Sequence, residues 1–171
     1  DLVRSRGLGD VYKRQIVKTV VKTFKRAKIG IHCHDDLGLA VANTIAAVDA
    51  GATHIQGTFL GFGERCGNCN LVTAILDLQL KKGYDILPED SIKKFTDTAR
   101  RIAEITNVRL PKNTPYVGKA AFMHKGGMHG DGVMKYSPAF EHIDPSVVGN
   151  ERSFPISEVA GRAIFLKKAQ D

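Results

Sequence analysis

No apolar run in this 171-residue chain approaches the roughly 20 residues that a helix needs to cross a bilayer, so no membrane-spanning helix is expected. Nor does the chain open with the basic, apolar, small-residue order of a secretory signal, and the expected compartment is the cytoplasm. Cysteine is scarce: Cys33, Cys66 and Cys69 are an odd number at short spacing, which argues against a secreted disulfide framework and for reduced thiols. There is no internal repeat and no low-complexity tract, which removes solenoids and disordered tails from consideration. Neither the Walker spacing nor the dinucleotide fingerprint occurs. Lysine and arginine outnumber aspartate and glutamate 25 to 18, for a net charge of +7, but the basic residues are scattered rather than gathered into a stripe. Nucleic acid is therefore not the expected partner, and a diffuse positive charge suits small anionic ligands equally well.

What is present is the composition of an ordinary globular domain, 43% hydrophobic and 25% charged. Residues 1–15, DLVRSRGLGDVYKRQ, show neither helical nor strand periodicity and read as a leader, either disordered or non-native; DVYKRQ resembles the translation of a transposon-end adaptor used in sequencing libraries. From Ile16 the spacing of Val17, Val20, Val21 and Phe24 predicts a helix ending near the positive charges of 25–28. Residues 29–34 then predict a strand, Asp35 or Asp36 a cap, 37–50 a helix, and Gly51 its C-terminal stop. A second strand follows over 53–59, then a glycine-rich loop, GFGERCGN, and a helix over 70–82 that closes at Gly83.

Helix, strand, helix, strand, helix with short connections predicts parallel α/β architecture, in which helices cover both faces of the sheet. Two strands cannot form such a sheet alone. A closed barrel of eight strands takes about 250 residues, so the pattern implies that most of the barrel lies upstream. Pro88 opens a further helix, with Asp90 or Ser91 as its expected cap and Ile92, Phe95, Ala99, Ile102 and Ile105 on one stripe. Beyond Asn107 the chain is rich in Gly, Pro, His and Met, which suggests an accessory domain whose loops carry function. The expected division is a leader (1–15), the end of a barrel domain (16–85) and a mostly helical accessory subdomain (86–171).

Three stretches could carry chemistry. His32 and His34 alternate at the end of a predicted strand, so their side chains share one face and suit a divalent metal; two hydrogen-bonded structural histidines fit the same pattern. Asp35 and Asp36 read either as partners of those histidines or as helix caps. In the glycine-rich loop, Gly61, Gly63 and Gly67 would let backbone approach a ligand closely, with Glu64, Arg65 and Asn68 offering polar groups. Cys66 and Cys69 form a CxxC, but a zinc knuckle needs a second ligand pair and none follows. The segment AFMHKGGMHGDGVMK sets His124, His129 and Asp131 among four glycines, the composition of an exposed, adaptable loop, and a His and Asp two apart could relay a proton.

Taken in order, HCHDDLGLAVANT, QGTFLGFGERCGNCNL and AFMHKGGMHGDGVMK resemble the acyl-CoA synthases that make isopropylmalate, homocitrate and citramalate. The resemblance covers residues 16–171, and HIDPSVVGNER with SEVAGR is most similar to the citramalate branch. It implies the last two strand–helix units of a (β/α)8 TIM barrel followed by a mostly helical accessory subdomain. It also implies a divalent metal (Mg, Mn or Zn) held by His32 and His34 with Asn68 nearby, and substrate contacts from Glu64 and Arg65. By the same resemblance His129 and Asp131 lie in a loop that reaches a partner subunit's active site, in a homodimer. The implied reaction joins acetyl-CoA to pyruvate or another 2-oxo acid, within isoleucine biosynthesis in the citramalate case. The family's third protein ligand, an aspartate in an RDGxQ-type motif, has no counterpart here. The family usually has HND where His34, Asp35 and Asp36 stand, and Tyr where Phe140 stands. A metal-dependent hydrolase or a non-catalytic metal-binding module is the reading of another class that HxH alone would allow.

Overall fold

The computed structural model describes residues 10–155. The chain divides into two compact units between Ile86 and Leu87. Among the described residues no helix is long and apolar enough to cross a membrane.

The first unit alternates helices and strands: α1 (Asp10–Thr23), β1 (Gly30–His32), α2 (Ala40–Asp49), β2 (His54–Gln56) and α3 (Leu71–Leu76), the last prolonged by a π-helical turn, Asp77–Lys81. α1 begins at Asp10, not near Ile16 as expected. The residues ahead of Ile16 have no apolar stripe, but Tyr, Lys, Arg and Gln tolerate a helix once Val17 is buried in the packing that follows. Val17 and Val21, one turn apart, pack with Ala47 and Ala52. Gly51 makes that approach possible: its φ of +107° ends α2, and an added Cβ would lie 3.1 Å from Val21. The glycine thus both stops one helix and lets another come near.

β1 and β2 pair in parallel, with Gly30 beside His54, Ile31 beside Ile55 and His32 beside Gln56. Both strands are shorter than the 29–34 and 53–59 predicted. The cause lies in the returning loop, whose residues 68–70 enter between the diverging strand ends. Cys69 N donates to Cys33 O (2.9 Å), and Thr58 N donates to Cys69 O (3.1 Å). Isolated bridges join His34 to Asn68 and Thr58 to Asn70. Gly57 admits the intruding chain, since a Cβ there would collide with the Cys69 carbonyl.

α2 starts at Ala40, later than the predicted 37, because residues 36–39 form a turn over which Asp35 Oδ1 accepts from Ala40 N at 2.8 Å. Asn70 Oδ1 caps α3 by accepting from Val72 N at 3.0 Å. Ile31 and Ile55 are half-buried, whereas Gly30, His32, His54 and Gln56 are exposed. One sheet face is therefore covered and the other, among the described residues, is not.

In the second unit, α4 (Glu89–Ile92) and α5 (Phe95–Ile105) are separated by a break at Lys93 and Lys94. Pro88 occupies the N-cap, in place of the expected Asp90 or Ser91, and its ring fixes φ at −56° on entry. The break rotates the apolar stripe: Ile92, Phe95 and Ala99 are buried as expected, Ala103 joins them, and Ile105 is 75% exposed. Thr96 Oγ1 donates to Val148 O at 2.7 Å within the core. The expected glycine loop is in fact a helix, α6 (Gly127–Lys135). Its glycines disfavour helix intrinsically, but Gly130 and Val133 are buried and Gly132 lies under the Phe140 ring, so packing overrides propensity. The SEVAGR run lies outside the described residues.

Parallel strands are normally buried on both faces, and here Phe24, Leu37, Ile86, Ile105 and Met128 are also exposed. The 171-residue chain expressed alone should therefore associate, as read by size exclusion with light scattering. A monodisperse, cooperatively unfolding monomer would contradict this.

Candidate functional site at the strand ends

His32 closes β1 and His34 follows two residues on, with ring centroids 5.2 Å apart at 77°. The alternation places both on one side, as the HxH spacing predicts. Asn68 is brought to His34 by the backbone bridge between them. Its Nδ2 donates to Phe62 O at 3.0 Å, which leaves Oδ1 turned the other way. That Oδ1 and His34 Nδ1 are both buried without a hydrogen-bond partner. An unpaired buried polar atom costs about 1–3 kcal/mol, and two of them on adjoining residues call for something that binds lone pairs. Imidazole nitrogen and amide oxygen are donors that a divalent cation accepts. Among the described residues no group of three or more His, Cys, Asp or Glu stands ready for a metal. His32, His34 and Asn68 could together supply part of such a donor set. Gln56, which sequence reasoning passed over, stands beside His32 on the same face; strand alternation alone could have found it.

The glycine-rich loop is braced against this site. Gly61 (φ +78°), Gly67 (φ +95°) and Arg65 (φ +58°) all adopt left-handed backbone. Asp35 N donates to Gly67 O and Asn68 N to Gly61 O, at 2.9 and 3.0 Å. A Cβ on Gly67 would collide with the Gly61 carbonyl. Arg65 Nε and Nη2 donate to the two Asp36 oxygens at 2.8 and 2.9 Å, tying this loop to the one after β1. That bond also holds the Arg65 guanidinium above its ordinary pKa. Glu64 extends outward, its side chain 87% exposed. Of the two acidic residues after His34, Asp35 therefore caps α2 and Asp36 holds Arg65.

The cysteines do not make a zinc knuckle. Cys66 is exposed, whereas Cys69 is buried with Cys33, Ala40 and Ala74, and all three thiols are free. Burial pushes the Cys69 thiol up, which keeps it protonated and suits a small core residue.

In the second unit the expected relay is not assembled. His129 and Asp131 both lie on α6, where two residues span about 200° of rotation. Asp131 pairs with Lys135 at 2.6 Å, and the His129 ring tilts against Phe140 with centroids 5.2 Å apart. A different carboxylate is engaged instead. Glu141, buried, receives Arg152 Nε at 2.8 and 3.0 Å and meets His124 Nε2 at 2.9 Å. Burial opposes its ionisation, but the hydrogen bonds from Arg152 and His124 prevail and hold the carboxyl below its usual pKa. No spacing links these three residues in the sequence; only the tertiary fold unites them.

Strand-end donors on consecutive parallel strand–helix units are the arrangement of a barrel's active-site face, and solved structures agree on the fold. An HMG-CoA lyase from Acinetobacter baumannii, solved with coenzyme A and 3-methylmalate, superposes at a TM-score of 0.52 and 18% identity over 62% of this chain and 36% of its own. The Bacillus subtilis HMG-CoA lyase gives 0.53 and 22%, over 66% and 38%. The strands and helices of the first unit are accordingly the closing units of a (β/α)8 barrel.

Residues 10–107 match the HMGL-like family, to which the chain belongs. Residues 116–171 match the homocitrate synthase post-HMGL domain-like family. The chain is 48% identical to the (R)-citramalate synthase of Aquifex aeolicus over 92% of its length and 30% of that protein. It is 51% identical to that of Sulfolobus acidocaldarius over 85% and 28%, and 38% identical to a Bacillus cereus 2-isopropylmalate synthase over 88% and 30%. The chain thus spans less than a third of the length of these curated relatives.

Two outcomes test this geometry. Gly67→Ala should destabilise the full-length protein by about 2 kcal/mol or more, as strain and collision add; an unchanged melting temperature would mean the loop relaxes freely. Because Glu141 titrates lower folded than unfolded, its contribution to stability is fully present above the ordinary carboxylate pKa of about 4.3 and lost as pH falls through the folded value. Amide protection factors across 122–153 should therefore differ between wild type and Glu141→Gln at neutral pH and converge in acid. A gap that persists undiminished into acid would contradict the assignment.

Proposed function

We propose that the full-length protein is a metal-dependent citramalate synthase in the cytoplasm, joining the methyl carbon of acetyl-CoA to the ketone of pyruvate and hydrolysing the resulting thioester with water to release citramalate and CoA, with the product feeding isoleucine biosynthesis. The observation that carries this reading is the strand-end pair His32 and His34 with Asn68, among which His34 Nδ1 and Asn68 Oδ1 are buried without partners and fit a cation. The identity to (R)-citramalate synthases, 48% over 92% of the chain, supports it. His32 and His34 would hold a divalent ion of the Mg, Mn or Zn class, with Asn68 beside it. Such an ion supplies Lewis-acid polarisation of a ketone oxygen.

The chain's own residues shape the rest. Arg65, paired with Asp36, keeps the glycine-rich loop in its left-handed course, and Glu64 presents an exposed carboxylate to a ligand. His129 is the candidate for moving the proton of the acetyl methyl group, in a homodimer where one copy's α6 serves the other. Asp131, on the opposite side of α6 and paired with Lys135, would serve the site apart from His129 rather than orient its ring. The missing aspartate ligand of the sequence motif must come from elsewhere in the full-length protein.

The second reading, 2-isopropylmalate synthase, rests on the 38% identity to the Bacillus cereus enzyme; the homocitrate synthase domain match adds a third keto acid to be tried. CoA release by the full-length protein with acetyl-CoA and each of pyruvate, 2-oxoisovalerate and 2-oxoglutarate decides between them. Preference for pyruvate is expected. Preference for another keto acid would move the name, and no metal-dependent release with any of them would sink the synthase reading in favour of a hydrolase or binding module. His34→Ala should lower release by about 100-fold or more and weaken metal binding in calorimetry.

A further inference from the structure

The proposed reaction leaves one buried charge unused, the Glu141 carboxylate, whose side chain is only 3% exposed. It sits where three segments meet. His124 immediately precedes the approach to α6, and Glu141 follows the short 3-10 turn Ser137–Ala139. Arg152 lies on a strip bonded back to 122–124 through Ser153 N to Phe122 O and His124 N to Ser153 O, both at 3.0 Å. Residues 125–140 are therefore an excursion whose two ends are tied to a single carboxylate.

That excursion carries His129, and its helix rests on few buried contacts. α6 contains Gly127, Gly130 and Gly132, poor helix formers, and buries only Gly130 and Val133. Phe140, adjacent to Glu141, lays its ring over Gly132 and against His129. A displacement of Glu141 is thereby passed through Phe140 to the imidazole. Removing one partner of a buried, hydrogen-bonded charge leaves the rest uncompensated, so a change to any one of the three weakens the clamp.

We propose that Glu141 is a positioning residue: clamped by Arg152 and His124, it fixes the base of the 125–140 excursion and so orients His129. The claim rests on the reading of His129 as the proton-transfer group. A purely structural ion pair would instead stabilise the unit without acting on that excursion in particular.

Hydrogen exchange and steady-state kinetics of the full-length protein separate the two, with Glu141→Gln, Arg152→Lys and, as a core control in the same unit, Val148→Ala. Glu141→Gln should speed amide exchange across 127–140 about tenfold or more and lower kcat about tenfold or more, leaving both KM values within about threefold. Arg152→Lys, which keeps the charge but not the fork, should fall between it and wild type, and decides the matter if Glu141→Gln does not fold. Val148→Ala, though it lowers the melting temperature, should leave exchange in 127–140 and kcat near wild type. Unchanged exchange in Glu141→Gln overturns the proposal, as does a loosened excursion with wild-type kcat, or a Val148→Ala variant that reproduces both effects. If wild type releases no CoA with any keto acid, the synthase reading falls; exchange alone then decides the clamp, a selective rise sustaining it and no rise overturning it.

Discussion

The first unit depends on backbone hydrogen bonds that must be made where β1 and β2 diverge. Beyond His32 and Gln56 the strands no longer pair with each other, and their carbonyls and amides need other partners in a partly buried place. Residues 68–70 supply them: Cys69 bonds to Cys33 on one side and to Thr58 on the other. Much else follows from that intrusion. Asn68 arrives beside His34, Asn70 is left where it can cap α3, and Cys69 is buried rather than exposed to a ligand.

The loop that makes this return has little freedom. Left-handed backbone at Gly61, Arg65 and Gly67 turns the chain tightly enough that a side chain at Gly67 has no room. The Arg65–Asp36 pair then joins the loop after β2 to the loop after β1. Arginine's planar fork matches a carboxylate at two points, so the pair fixes orientation as well as distance. A residue that reads in the sequence as a cation for a substrate is thus already engaged within the chain.

The second unit shows the opposite case, a segment whose composition misleads. Four glycines around His129 read as a flexible loop, yet burial of Gly130 and Val133 and the seat for Phe140 make it helical. The helix in turn sets His129 and Asp131 on opposite sides, which is why a spacing that suits a relay in an extended chain does not produce one here. Lys135, one turn on, is the partner that helical geometry offers Asp131.

Strand–helix alternation, the HxH pair, the glycine-rich turn and the stop at Gly51 were all legible in the sequence, because each is a local pattern with a local cause. Periodicity exposes a helix, alternation aligns His32 with His34, and only glycine ends α2 so close to Val21. Strand lengths, the start of α1, the break between α4 and α5, the engagement of Arg65 and the union of His124, Glu141 and Arg152 were not. The strand ends, Arg65 and Glu141 depend on partners distant in the chain, and neither propensity nor spacing encodes which buried charge meets which donor. By itself, the sequence determined the elements and the types of donor they carry; the tertiary structure decided which of those donors were already bonded and which were left to bind something else.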